Sequence, residues 1–264
     1  MISGFVIDMD GTIYKGGKAI PGAPGFIDEL NGRKIPFVLL TNNSAHGRLF
    51  YYEKVRAMGF DVGLDNILTS TMATVRYLKG HRPGKTVYPL GSPQFGEEIR
   101  EAGITVDEND PDIVLLAFDT TVTYEKINNA YHFLASGSEL IATHPDDLCP
   151  TEDGYDVDIG PFIRLFESIT DRKATVIGKP NRRMLEMAAE AMDADIGGLV
   201  MVGDRLYTDM KMAYDSGITS VLVLTGETER RDLETSDVKP TFIVDSVADI
   251  PGSVLDGDGN RATR

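Results

Sequence analysis

Gly4-Phe5-Val6-Ile7-Asp8-Met9-Asp10-Gly11-Thr12 decides how the rest of the chain is read. The apolar run is short, β-branched and aromatic, and it stops at acids and a glycine. That pattern predicts a buried strand over residues 4–8. Asp8 and Asp10 then leave the carboxyl end of the strand, where ligands bind in open α/β sheets. Two carboxylates one residue apart can share a metal there while doing different work, one attacking and one moving a proton. Gly11 lets the backbone turn tightly and approach a ligand. A plain turn built from Asp and Gly accounts for the same residues, so the segment alone leaves both readings open.

Working outward, strands are expected at 37–40, 199–202, 221–224 and 242–244. Helices are expected at 24–31, 47–58, 71–79 and 207–216. Alternation of this kind reads as a parallel sheet covered by helices, an α/β fold. At Arg82-Pro83-Gly84 a breaker cluster interrupts it. Strands at 86–90, 113–118 and 140–142 follow, with helices at 94–102, 124–135 and 161–168. Residues 143–158 read as a loop rich in Pro and Asp, and the chain returns through a strand at 175–177. The expected organisation is a core from 1–82 and 179–264, with a second α/β unit, 83–178, inserted into it.

Three more segments place unusual polar residues just after an apolar strand. In Thr41-Asn42-Asn43, a hydroxyl and the amides that follow can bind anionic oxygens at a helix entrance; an N-cap and turn would look the same. In Gly178-Lys179-Pro180-Asn181, Pro180 is expected to start a helix, and Lys179 can offset phosphate or carboxylate charge. A lone lysine is also an ordinary surface residue. In Gly203-Asp204-Arg205-Leu206-Tyr207-Thr208-Asp209, the two acids can supply oxygens to a hard cation such as Mg²⁺. They also suit the first turn of a helix.

Asp8/Asp10, Thr41, Lys179 and Asp204/Asp209, in that chain order and each after an apolar strand, resemble the four motifs of the haloacid dehalogenase superfamily of phosphotransferases. Thr41-Asn42-Asn43, Gly178-Lys179-Pro180 and Gly203-Asp204-Arg205 with Thr208-Asp209 resemble its NagD-type branch. So does the large insertion, which is similar to that branch's α/β cap. The resemblance implies a Rossmann-like doubly wound parallel-sheet core with an inserted α/β cap domain. It implies a Mg²⁺-dependent phosphatase of small phosphomonoesters in which Asp8 attacks phosphorus and Asp10 serves as acid and base. Mg²⁺ would be held by Asp8, the Asp10 carbonyl and Asp204, with Asp209 orienting that shell. Thr41, Lys179 and amides around Gly11, Asn42 and Asn43 would cradle the phosphate oxygens. Sugar phosphates, nucleotide monophosphates and, in vitro, p-nitrophenyl phosphate are the expected substrates. A phosphotransferase or mutase would use the same intermediate. A receiver-like phosphorylated module is disfavoured, since its compact domain has no room for an insertion.

The remaining residues set boundaries. Lys+Arg 26 against Asp+Glu 41 gives a net charge of -15, which argues against nucleic acid and anionic membranes as partners. Within 83–178, 6 basic and 18 acidic residues leave -12, so the remaining 20 basic and 23 acidic residues leave only -3. The acidity therefore belongs mainly to the insertion, and local cations and amides, not net charge, decide phosphate binding. No apolar run reaches the roughly 20 residues that span a bilayer, and no signal peptide precedes Asp8, so a cytoplasmic monomer or homodimer is expected. The Asn42-Asn43-Ser44 sequon is accordingly expected to stay unglycosylated. A single cysteine, Cys149, and four scattered histidines give no zinc pattern. His144, Asp146 and Cys149 lie in the 143–158 loop and are candidate substrate contacts of the cap. Cys149 stands where the branch's pyridoxal-phosphate phosphatases carry a similar His, which weighs against that substrate. Asp256, Asp258 and Asn260 look like the opening of a calcium loop but lack its later acid.

Overall fold

The structure, a computed structural model, describes residues 2–151 and 154–256. It separates into two compact units: Met1–Thr41 with Arg48–Leu68 and Lys179–Arg264, and Asn42–Gly47 with Thr69–Gly178. Asp258 and Asn260, of the calcium-loop resemblance, lie outside the described residues.

The first unit is built on a six-stranded sheet. Its order is Phe242–Val244, Thr219–Val223, Leu199–Gly203, Gly4–Asp8, Phe37–Thr41, Ile67–Thr69. By chain position this is 6-5-4-1-2-3, the Rossmann order. Gly4–Asp8 and Leu199–Gly203 pair in parallel with Ile7 opposite Val202, and Asp8 lies opposite Leu40 of the next parallel strand. These three strands are buried from end to end, which is why they read as uninterrupted apolar runs. The helix Ala23–Gly32 has Pro in its first turn and buries Ala23, Phe26, Ile27 and Leu30. That i, i+3, i+4, i+7 stripe lies against the sheet, where Phe26 meets Phe5 edge-on at 5.8 Å. Phe26, Ile27 and Leu30 each contribute about 1.5–3 kcal/mol by leaving water.

Some elements depart from expectation. Ile67–Thr69 is a strand of only three residues, too short a run to stand out in the sequence. Pro180 does not start a helix; that helix is Arg183–Met192, and the Asn181 side chain accepts the Arg183 amide at 3.1 Å. The helix expected at 207–216 begins instead as a wide π turn, Leu206–Met210, before Lys211–Ser216.

The second unit has its own four-stranded parallel sheet, ordered Thr175–Val176, Glu139–Ala142, Ile113–Leu116, Val87–Leu90. Ser92 and Thr123 cap its helices Pro93–Glu101 and Tyr124–Ser136 by accepting amides three residues on. Its core is separate and includes Leu90, Val114, Leu116, Leu134, Leu140 and Phe166. Two segments that the sequence reading gives to the core cluster here: the Asn42–Gly47 turn and the helix Ser70–His81. Ser70 Oγ donates to the Asn42 carbonyl, and Arg82, just past the helix, pairs with Glu139 at 2.8 Å. The 143–158 loop is not irregular throughout. It contains two antiparallel strands, Leu148–Thr151 and Gly154–Val157, the second of which is exposed along its length. Among the described residues, no helix is long and apolar enough to cross a membrane.

Candidate active site

In the Rossmann order the chain leaves the sheet in opposite directions from strands one and four, opening a crevice at their carboxyl ends. Those strands end at Asp8 and at Gly203-Asp204. Asp8 is buried, and its Oδ2 accepts from Thr12 Oγ1 at 3.2 Å. Its Oδ1 accepts from Lys179 Nζ, which also donates to Asp209 Oδ1 at 2.7 Å. The other Asp209 oxygen accepts from the Arg205 amide at 3.3 Å. Asp204 Oδ2 accepts from the Glu227 amide at 2.7 Å, while its Oδ1 is buried with no hydrogen-bond partner. Thr41 is buried at the end of the neighbouring strand, one residue past the partner of Asp8. Gly11 has φ +84, and a Cβ there would lie 2.6 Å from Asp204 Oδ2.

Charge is concentrated here. Asp8, Asp204 and Asp209 each offer an oxygen within 4.8 Å of the others. Burial, then the charges of Asp8 and Asp209, hold the Asp204 carboxyl well above its ordinary range. Burial likewise pushes Asp209 up to about 6, although Lys179 draws it down. Burial works against the Lys179 ammonium, but the carboxylates of Asp209 and Asp8 outweigh it and raise the lysine above its usual range. Burial pushes Asp10 up to about 6, opposed by Lys54 and reinforced by Asp8. Lys54 is itself stacked over the Tyr14 ring at 4.2 Å. Three buried carboxylates facing one ammonium leave net negative charge, and an unpartnered carboxylate oxygen is costly in such a place. An all-oxygen donor set of this kind fits a hard divalent cation.

Comparison with known proteins agrees with the fold. The family description haloacid dehalogenase-like hydrolase matches residues 5–105, and HAD-hydrolase-like matches residues 176–250. An acid sugar phosphatase of Staphylococcus haemolyticus is 34% identical over 240 residues, covering 90% of this chain and 91% of that protein. The chain belongs to the haloacid dehalogenase-like hydrolases. A 4-nitrophenylphosphatase of Thermotoga maritima superposes with a TM-score of 0.91 at 38% identity, covering 96% of this chain and 97% of that one. NagD from E. coli K-12 gives 0.87 at 30% identity, covering 94% and 98%. Within the family the chain is a NagD-type phosphatase, a hydrolase acting on phosphomonoesters.

The phosphatase places its other sequence-singled residues in the second unit, bonded to one another. Asn42 Nδ2 donates to Asp146 Oδ2 at 3.1 Å, and Asn43 Nδ2 to Cys149 Sγ at 3.3 Å. Thr143 Oγ1 donates to Ser44 Oγ at 3.1 Å, and that hydroxyl accepts the Phe118 amide at 2.9 Å. Three consecutive residues after Thr41 thus tie down the 143–149 loop. His144 is fully buried, with Nδ1 2.9 Å from Thr143 Oγ1 and Nε2 2.9 Å from Asp158 Oδ1. The same Asp158 oxygen accepts the Ile159 amide at 2.7 Å. With both ring nitrogens engaged inside this unit, His144 joins the loop to the start of the helix Gly160–Ile169. His144→Ala is expected to destabilise the protein by about 1–3 kcal/mol, because a buried carboxylate and hydroxyl lose a partner. Urea unfolding checks this, and an unchanged midpoint would contradict it.

The sequence reading passed over Thr12, Asp158 and the segment Thr225-Gly226-Glu227-Thr228. This last follows Val221-Leu222-Val223-Leu224 just as the other four segments follow their strands. The same rule, polar residues just after an apolar strand, covers this segment too.

Proposed function

We propose that the phosphatase hydrolyses small phosphomonoesters, sugar phosphates foremost, through an aspartyl-phosphate on Asp8, with Mg²⁺ as cofactor. The observation that carries this reading is the meeting of Asp8, Lys179 and the unpartnered Asp204 oxygen at the sheet's switch point. Asp8 attacks phosphorus as the bond to the leaving oxygen breaks, and Asp10 gives that oxygen its proton. Asp10 then takes a proton from the water that attacks the acyl phosphate, which releases inorganic phosphate and restores Asp8. Thr41 and Lys179 hold the phosphate oxygens, with the amides beside Gly11, Asn42 and Asn43. Positioning and charge stabilisation of this sort are most of what phosphoryl transfer requires. Asp8, the Asp10 carbonyl and Asp204 would hold Mg²⁺, and Asp209 would orient that shell. When bound, the ion offsets the charge on the transferred phosphoryl oxygens. Residues 83–178 serve as the cap that chooses among leaving groups. The name of the Staphylococcus haemolyticus relative supports sugar phosphates as the substrate class.

The purified protein is expected to hydrolyse p-nitrophenyl phosphate with Mg²⁺, to lose that activity in EDTA and to regain it when Mg²⁺ is restored. A rate indifferent to EDTA would overturn the cation's part. Label passing to water, not to added acceptor alcohols, is the expected mark of a phosphatase against a phosphotransferase. A panel of phosphorylated sugars and nucleotide monophosphates then ranks the substrates.

A further inference from the structure

The 225–228 segment touches the acidic cluster almost wholly through its backbone. The Glu227 amide donates to Asp204 Oδ2 at 2.7 Å, and the Thr228 amide donates to the Asp204 carbonyl at 3.3 Å. Thr225 Oγ1 donates to the Gly11 carbonyl at 2.6 Å. A Cβ on Gly226 would sit 1.9 Å from Asp204 Oδ2 and 2.4 Å from its Cγ, so only glycine lets the loop close on this carboxylate. Gly11 also approaches Asp204 Oδ2, at 2.6 Å for a Cβ placed there, and that Cβ would lie 3.1 Å from the Gly226 Cα. Two glycine backbones therefore crowd the Oδ2 side of the Asp204 carboxylate. The loop is pinned from outside as well: Glu227 Oε2 accepts from Arg205 Nε at 3.0 Å and from Tyr207 hydroxyl at 3.1 Å. Both of those residues lie between Asp204 and Asp209 in the chain.

One consequence is chemical. With Oδ2 tied to an amide and Oδ1 buried without a partner, Asp204 has a single oxygen to give, in a fixed direction. Mg²⁺ demands near-ideal octahedral geometry and is served by one oxygen from each carboxylate. Ca²⁺ takes six to eight ligands and readily accepts both oxygens of one carboxylate. We propose that the 225–228 loop is a positioning element for the cation, which holds Asp204 to one-oxygen ligation and so favours Mg²⁺ over Ca²⁺. This inference rests on the cation reading above. Thr225 adds to it by fixing the Gly11 turn that follows Asp10.

The test measures binding of Mg²⁺ and of Ca²⁺ separately, by calorimetric titration of the purified full chain without substrate. Gly226→Ala is expected to weaken Mg²⁺ binding roughly ten- to a hundredfold, the range seen when support around metal ligands is lost, and to weaken Ca²⁺ binding less. Thr225→Val is expected to weaken Mg²⁺ binding by a smaller factor in the same direction, whereas Thr225→Ser, which keeps the hydroxyl, should match wild type. If Gly226→Ala does not fold, as judged by its circular dichroism melt, the valine and serine pair decides. Wild-type Mg²⁺ affinity in Thr225→Val and in any folded Gly226→Ala would overturn the proposal, as would equal losses for both ions. A wild-type chain that binds no divalent cation would instead overturn the cation reading itself.

Discussion

Asp8→Asn is expected to lower kcat by about ten-thousandfold or more, to the background of the assay, with the circular dichroism spectrum unchanged. The shape of the side chain is kept, and an oxygen remains for the Thr12 hydroxyl that Asp8 now accepts at 3.2 Å. The strand around it is unaffected, since Asp8 pairs with Leu40 through its backbone register. What is lost is the nucleophile. A carboxamide does not form the acyl phosphate, and Asp10, Lys179 and Asp204 can then only orient a water in its place. Phosphomonoester hydrolysis is so slow without a catalyst that enhancements reach about 10²¹, so the covalent route accounts for a large part of the barrier. A ten-thousandfold loss is about 5.5 kcal/mol of that barrier at 1.36 kcal/mol per factor of ten. Residual turnover above a hundredth of wild type would overturn Asp8 as nucleophile. An acid-stable label on Asp10 in place of Asp8 would do the same.

What the sequence makes legible follows from how a doubly wound sheet is built. Strands buried on both faces appear as short apolar runs, and Gly4–Asp8, Phe37–Thr41 and Leu199–Gly203 were plain for that reason. Because ligands bind past the carboxyl ends of such strands, a charged residue just after a run is conspicuous, as Asp8, Lys179 and Asp204 are. The loop at 225–228 is less conspicuous because its contacts are made by amides and by the absence of a Cβ, and neither registers as a charge. The His144–Asp158 pair joins residues fourteen apart across two short paired strands that carry Pro150 and Asp156, so local pattern reads the stretch as loop. Asn42 and Asn43 show a different limit. Their position after Thr41 is visible in the chain, but their side chains turn to Asp146 and Cys149, a choice set by tertiary packing. The wide turn at Leu206–Met210 brings Asp209 back to Lys179, and no helical spacing rule predicts an extra residue in that turn.

Lys179→Met is expected to lower kcat/KM by about a thousandfold or more while making the protein more responsive to Mg²⁺. Lys179 is 3% exposed, and its ammonium bridges Asp8 and Asp209. Methionine keeps much of the aliphatic stem and removes only the charge, so packing changes little. Without that charge, Asp8, Asp204 and Asp209 stand within 4.8 Å of one another with nothing between them. Removing one partner of a buried ion pair typically costs about 3–5 kcal/mol, and the metal-free variant should melt correspondingly lower. A divalent cation relieves the same repulsion, so added Mg²⁺ should raise the melting temperature of the variant more than that of wild type. Catalysis would not return with the stability, because the phosphate would still lack the ammonium that Lys179 supplies. A purely structural lysine predicts the opposite pattern, in which Mg²⁺ restores stability and rate together. Thermal melts with and without Mg²⁺, set beside kcat/KM at saturating Mg²⁺, separate the two; a variant retaining more than a tenth of wild-type kcat/KM would remove Lys179 from the phosphate site.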